Sequence, residues 1–206
     1  MLKKLFKWIE TTEGLILILL LVIILRLPSL YEPYWYGDEG IYLTLGQALR
    51  KGFVWYRDIH DNKPPLLYLM AGFAGTVFYF RLILIAWFGC TTAVFYRLTQ
   101  VMLPKKKTGW YLATLAMIGL TTITEGNIAN GEIFMILPIL IGILLVLQAR
   151  HWFLAGIMFA LGFLFKVPAV FDFSAVGLFL LIVKTPLSKI IKLILGRYYL
   201  SHTLAP

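Results

Sequence analysis

Residues 14–30 read GLILILLLVIILRLPSL. No charge interrupts this run before Arg26, and no helix-breaking residue before Pro28. As a helix it spans about 25 Å at about 1.5 Å per residue, close to a hydrocarbon core of about 30 Å. A helix apolar on every side has no face to offer water, so the run reads as a membrane span. Lys3, Lys4 and Lys7 precede it. The excess of Lys and Arg in cytoplasmic loops then places the N-terminus in the cytoplasm. The run is too long for the core of a cleaved signal peptide, and no small-residue cleavage site follows. It reads as a retained signal anchor.

Further apolar runs occupy 64–80, 82–103, 109–124, 133–147, 152–165 and 169–183. The expected fold class is an all-α, polytopic membrane bundle of about six or seven transmembrane helices. The whole chain agrees: of its 206 residues 60% are hydrophobic and only 14% charged, with a mean hydropathy of +0.84. A soluble domain carries about 25% charged residues. The net charge of +9 points to anionic lipid rather than nucleic acid, because the cations sit in short clusters between apolar runs. The single cysteine, Cys90, allows neither an intrachain disulfide nor a thiolate metal site. Residues 1–183 read as one membrane module. Residues 184–206 read as a basic cytoplasmic tail and a possible truncation point.

The segment 64–80 decides the topology. If it crosses fully, Lys105, Lys106 and Lys107 fall outside. If it turns back or lies in the outer leaflet, that cluster, Arg150 and Lys184 all face the cytoplasm and every acidic loop faces outward. The positive-inside bias favours the second arrangement. In the same segment Ala71 and Gly75 have a spacing that lets helices approach closely.

The long polar stretch, 31–63, is the first outward loop. It is rich in Tyr and Trp, which favour the membrane interface. Between Glu39 and Lys51 the apolar residues Ile41, Leu45, Ala48 and Leu49 recur at helical spacing, which predicts a short interfacial helix.

Four clusters carry groups fit for chemistry. Asp38 and Glu39 open the interfacial helix; Asp38 is either its N-cap or a general base at the membrane surface. Asp58, His60, Asp61, Asn62 and Lys63 precede Pro64 and Pro65. They serve as edge anchors, or as metal ligands (His60, Asp61) and a phosphate contact (Lys63). Asn130 and Glu132 follow Glu125 and Asn127 between two apolar runs, either as a capped turn with Asn130 as the cap or as an outward acidic site. Lys166 and Arg26 are lone cations at the ends of spans, either snorkelling or holding a lipid phosphate.

In order, RLPSLYEPYWYGDEGIYLTLGQALRKG, DIHDNKPPLLYL, NGEIFMILP and GFLFKVPA resemble the membrane glycosyltransferases of the C-type fold. The branch in view is that of protein O-mannosyltransferases and the aminoarabinose transferase of lipid A. The similarity covers about residues 14–183. It implies transfer of a sugar from a polyprenyl-phosphate donor to a lipid, glycan or protein acceptor outside the cytoplasmic membrane. It implies Asp38 as general base and Glu39 as the neighbour that orients the loop. It further implies Lys63 and Lys166 near the donor phosphate and Glu132 as an acidic position of the second outward loop; Arg26 is a further candidate for the phosphate. Asn62 stands where the aminoarabinose branch has a metal-binding glutamate, so a divalent metal would fall to His60 or Asp61.

Relatives of that family continue through further helices. The expected partners are therefore the lipid-linked donor, membrane lipid and a partner chain supplying a C-terminal part. Two other readings stand beside transfer. One is an inactive fragment or accessory subunit that binds polyprenyl phosphate. The other is a small transporter, against which the nearly uncharged cores of the spans argue.

Overall fold

A computed structural model describes residues 12–33, 36–124 and 126–204. Lys3, Lys4, Lys7, Tyr34, Trp35 and Glu125 lie outside the described residues. Among the described residues the fold is all helical, with no strand. The helices are α1 (Thr12–Arg26), α2 (Gly37–Arg50), α3 (Leu66–Ala74), α4 (Val77–Met102), α5 (Lys107–Ile123), α6 (Gly131–Leu147), α7 (Trp152–Phe165), α8 (Ala169–Ile182) and α9 (Leu187–Leu204). A 3-10 turn, Leu27–Leu30, continues α1. Pro28 ends the α-helical pattern because it has no N–H to give.

Among the described residues, two segments are long and apolar enough to cross a membrane, Glu13–Leu30 and Val77–Met102. Gly131–Leu147, Trp152–Phe165 and Ala169–Ile182 are shorter apolar helices. The interfacial helix expected from Glu39 is α2, which starts at Gly37. Asp38 therefore sits in the first turn, and the N-cap is Tyr36.

The expected boundary at Arg81 is corrected. The chain breaks earlier, where Gly75 adopts φ 73° and returns its N–H to the Ala71 carbonyl. Thr76 then caps α4, its hydroxyl accepting from the Tyr79 N–H. That leaves α3 with 9 residues, about 14 Å of helix and about half a hydrocarbon core. Arg81 lies inside α4 and is 1% exposed. A helix interior tolerates this charge because its partners fold over it.

The close approach expected of Ala71 and Gly75 is made by Gly72 instead. A Cβ on Gly46 of α2 would lie 2.4 Å from the Gly72 nitrogen. Only hydrogen at both positions lets α2 and α3 touch backbone to backbone. Deeper in the bundle the Phe134 ring stacks between Phe80 and Phe165, each centroid 5.6 Å away. The Trp87 indole donates to the Phe134 carbonyl at 3.0 Å, which ties α4 to α6.

The segment expected as a tail is helical. Residues 187–204 form α9, which packs across α7 through paired glycines. A Cβ on Gly196 would lie 2.0 Å from the Phe153 carbonyl, and one on Gly156 2.0 Å from that of Leu193. Arg197 of α9 reaches between helices, its guanidinium 4.5 Å from the Phe173 ring centroid. The segment after residue 183 therefore belongs to the bundle.

Candidate functional site

Successive residues of a helix point about 100° apart, so Asp38 and Glu39 cannot face the same partner. Glu39 turns inward and is fully buried. Arg81 donates to its carboxylate from Nε at 3.1 and 3.2 Å and from Nη2 at 2.7 Å. The Ala129 N–H adds a bond at 2.9 Å. Arg81 spends Nη1 on the carbonyls of Ser29 and Glu32, at 2.6 and 2.9 Å. One carboxylate thus joins α2, α4, the turn after α1 and the loop before α6. Such a buried pair holds only when its remaining donors and acceptors are also satisfied, and here they are. Glu39 ties these segments together and does not line the cleft.

Asp38 turns the other way. Its Oδ2 accepts from the Lys63 ammonium at 2.7 Å and from the Tyr42 hydroxyl at 3.0 Å. Lys63 also donates to the Tyr42 oxygen at 2.8 Å and stands over the Tyr42 ring. The Lys63 hydrogen bond, more than any other contact, holds the Asp38 carboxyl below its ordinary pKa. Burial, then the nearby Asp38 charge, raises the Tyr42 phenol, so Tyr42 stays a hydroxyl. It has no motif to mark it, but it lies one helical turn after Asp38, the i+4 spacing at which side chains meet.

Lys166 follows α7 in extended backbone and pairs with Glu132 of α6. Burial lowers its pKa, with repulsion from Lys63 next, while Asp38 opposes the shift. Lys63, Asp38 and Lys166 therefore share one electrostatic neighbourhood. Asn130 caps α6, accepting from the Ile133 N–H at 3.3 Å.

Lys63 lines an open cleft of about 440 Å³ together with Tyr56, His60, Asp61, Phe163 and Val167. Its lining combines ionic and polar groups with the apolar side chains of Pro64, Pro65, Phe163 and Val167. Asp61 accepts from the Tyr68 hydroxyl and, at 2.6 Å, from the Asn62 N–H. His60 is exposed and stands edge-on to Tyr56. Asn62 is exposed beside them. Among the described residues no group of three or more His, Cys, Asp or Glu comes together. His60 and Asp61 are therefore joined by no third side chain of these types.

No family model, curated protein or solved structure matches the chain. What the site does is read from its own geometry.

Arg26 does not join the cleft. It is 1% exposed, its guanidinium lies 3.6 Å from the Phe88 ring centroid, and Nη1 donates to the Gly126 carbonyl. The phosphate role given to it is corrected to that of a buried link between α1, α4 and the loop before α6. The apolar lining from Phe163 and Val167 went unmarked in the sequence, since one hydrophobic residue in a hydrophobic helix and one just past its end carry no signal.

Proposed function

We infer that this chain is a polytopic membrane module that transfers a sugar from a polyprenyl-phosphate donor to a hydroxyl at the outer membrane face. The observation that carries it is the convergence of Asp38 and Lys63, 25 residues apart, at a cleft lined by both ionic and apolar side chains. A lipid-linked phosphate has the same two-part chemistry. Lys166 lies close enough to add its charge.

In the reaction the acceptor oxygen bonds to the sugar's anomeric carbon as the bond from that carbon to the phosphate oxygen breaks. The electron pair leaves on the phosphate, whose charge Lys63 and Lys166 stabilise. The hydroxyl proton passes to Asp38. Glu39, through Arg81, holds the helix that presents Asp38.

The membrane reading has its own support. Side chains such as Ile24, Phe73, Ile123 and Ile182 are 65–86% exposed, which water-soluble surfaces avoid in such number. Crossings by α1, α4, α5, α6, α7 and α8, with α3 in the outer leaflet, bring Asp38, Lys63, Glu132 and Lys166 to one side. They leave Lys105–107, Arg150 and Lys184 on the other, where the N-terminus also lies. Short helices such as α7, about 21 Å long, suit such a bundle if the bilayer thins locally.

The test is sugar transfer in membranes from a polyprenyl-phosphate sugar. Asp38→Asn lowers the rate by about 10²- to 10⁴-fold, the range of a lost general base, with expression unchanged. Full activity in that variant removes Asp38 from the mechanism. Donor binding without transfer by the wild-type chain leaves a lipid-binding module instead.

A further inference from the structure

Lys63 of the cleft and Lys166, which directly precedes the cleft residue Val167, are both already occupied. Lys63 is held by Asp38 at 2.7 Å, and Lys166 is held by Glu132. These pairs come from four separate segments: α2, the loop before α3, the first turn of α6 and the end of α7. None is sealed. The side chains of Asp38 and Glu132 are 38% and 50% exposed, those of Lys63 and Lys166 23% and 24%. The pair of Glu39 and Arg81 contrasts with them, since neither side chain is more than 1% exposed. One of these ion pairs is therefore sealed from a ligand, and two are open to one.

We propose that Asp38 and Glu132 hold the places of the donor phosphate in the empty site, and that the arriving phosphate takes Lys63 and Lys166 and so releases Asp38 to act as the base. This rests on the transfer reading above and adds its order of events. While Lys63 holds Asp38, the carboxylate is a poor proton acceptor, its pKa held down by that contact. The donor phosphate is a diester with one negative charge and two free oxygens, one for each lysine, and lysine recognises it as a point charge; the polyprenyl monophosphate left after transfer carries more charge. Tyr42 already bonds to both partners and can keep Asp38 in place after Lys63 has left.

The experiment is equilibrium binding of a short-chain polyprenyl monophosphate to the full chain in detergent, with inorganic phosphate as a second probe. Exchange predicts that Asp38→Asn, although it slows transfer, tightens lipid-phosphate binding by about three- to fivefold. That is the effect of deleting a competitor worth up to about 1 kcal/mol, at 1.4 kcal/mol per factor of ten. In a Lys63→Met background the same Asp38→Asn change leaves affinity unaltered, because there is no lysine to release. Equal tightening in both backgrounds overturns the proposal, since simple removal of negative charge then explains it. Unchanged or weaker binding by Asp38→Asn alone also overturns it while leaving the transfer reading standing. Absence of lipid-phosphate binding by every variant, or inorganic phosphate binding as tightly as the lipid, overturns both. Thermal unfolding of each variant in the same detergent confirms that the compared chains are folded.

Discussion

At the residue scale, two adjacent carboxylates have taken opposite roles because a helix turns them apart. Glu39 is sealed and fully bonded. Removing one partner of such a pair leaves an uncompensated buried charge and costs about 3–5 kcal/mol. Arg81→Leu is therefore expected to lower stability in detergent by that amount. The paired change Glu39→Leu with Arg81→Leu is expected to do less harm than either single change. Thermal unfolding of the three variants checks this, and a double variant as weak as the sum of the singles contradicts it.

Asp38 gives a prediction with a pH sign. Its folded pKa lies below the ordinary 3.8, chiefly through Lys63. A depressed carboxyl contributes stability above its unfolded pKa and loses it as pH falls through the folded value. The wild type is thus expected to be somewhat more stable than Lys63→Met at neutral pH. The difference shrinks as pH falls below about 3.8, as read by acid unfolding of both chains. Solvent screening keeps the effect small.

At the scale of elements, glycine contacts decide which helices touch. Gly46 against Gly72 sets α2 on α3, and Gly156 against Gly196 sets α9 across α7. Gly196→Val pushes a side chain into the Phe153 carbonyl, a clash with backbone that cannot move aside. It is expected to destabilise by at least the about 1–3 kcal/mol of overpacking and to loosen α9. Faster amide exchange confined to 187–204 is the expected signature; unchanged exchange there shows that α9 is held by other contacts. Gly75 is the second position where glycine is required. Its φ of 73° is strained for other residues, and a Cβ there would meet the Arg50 guanidinium at 2.5 Å. Gly75→Ala is expected to cost about 1 kcal/mol or more, measured in the same unfolding assay.

At the scale of the whole molecule, the proposed arrangement has two sides. In a Cys90→Ser background, Asn62→Cys is expected to react with an impermeant thiol reagent from outside intact cells. Lys106→Cys is expected to react only after the cytoplasmic side is opened. Labelling of both from outside means that 64–80 crosses fully and the six-crossing arrangement is wrong. Several parts of this organisation were legible in the sequence. Apolar runs mark helices because burial of their side chains in any apolar surrounding depends on composition rather than on partners. The start of α2 showed in Asp38 and Glu39, and the cap of α6 in Asn130, because caps and first turns are local. The break at Gly75 and Thr76 was overshadowed by the more visible charge of Arg81. The helix at 187–204 was hidden because its contacts depend on a glycine 40 residues away.

Local features of this chain follow from the sequence by itself: its helical class, the apolar character of its long segments, and the cluster of ionisable groups in 31–63. Each depends on the chemistry of neighbours a few residues apart. Only the tertiary structure decided which charge meets which. Arg81 and Arg26 look alike as lone cations in apolar runs, yet one locks four segments through Glu39 and the other lies over Phe88. Asp38 and Lys63 meet across 25 residues because Gly46 and Gly72 allow α2 and α3 to close. Long-range pairing of charges depends on helix packing to a fraction of an ångström, and no local pattern of residues carries that information.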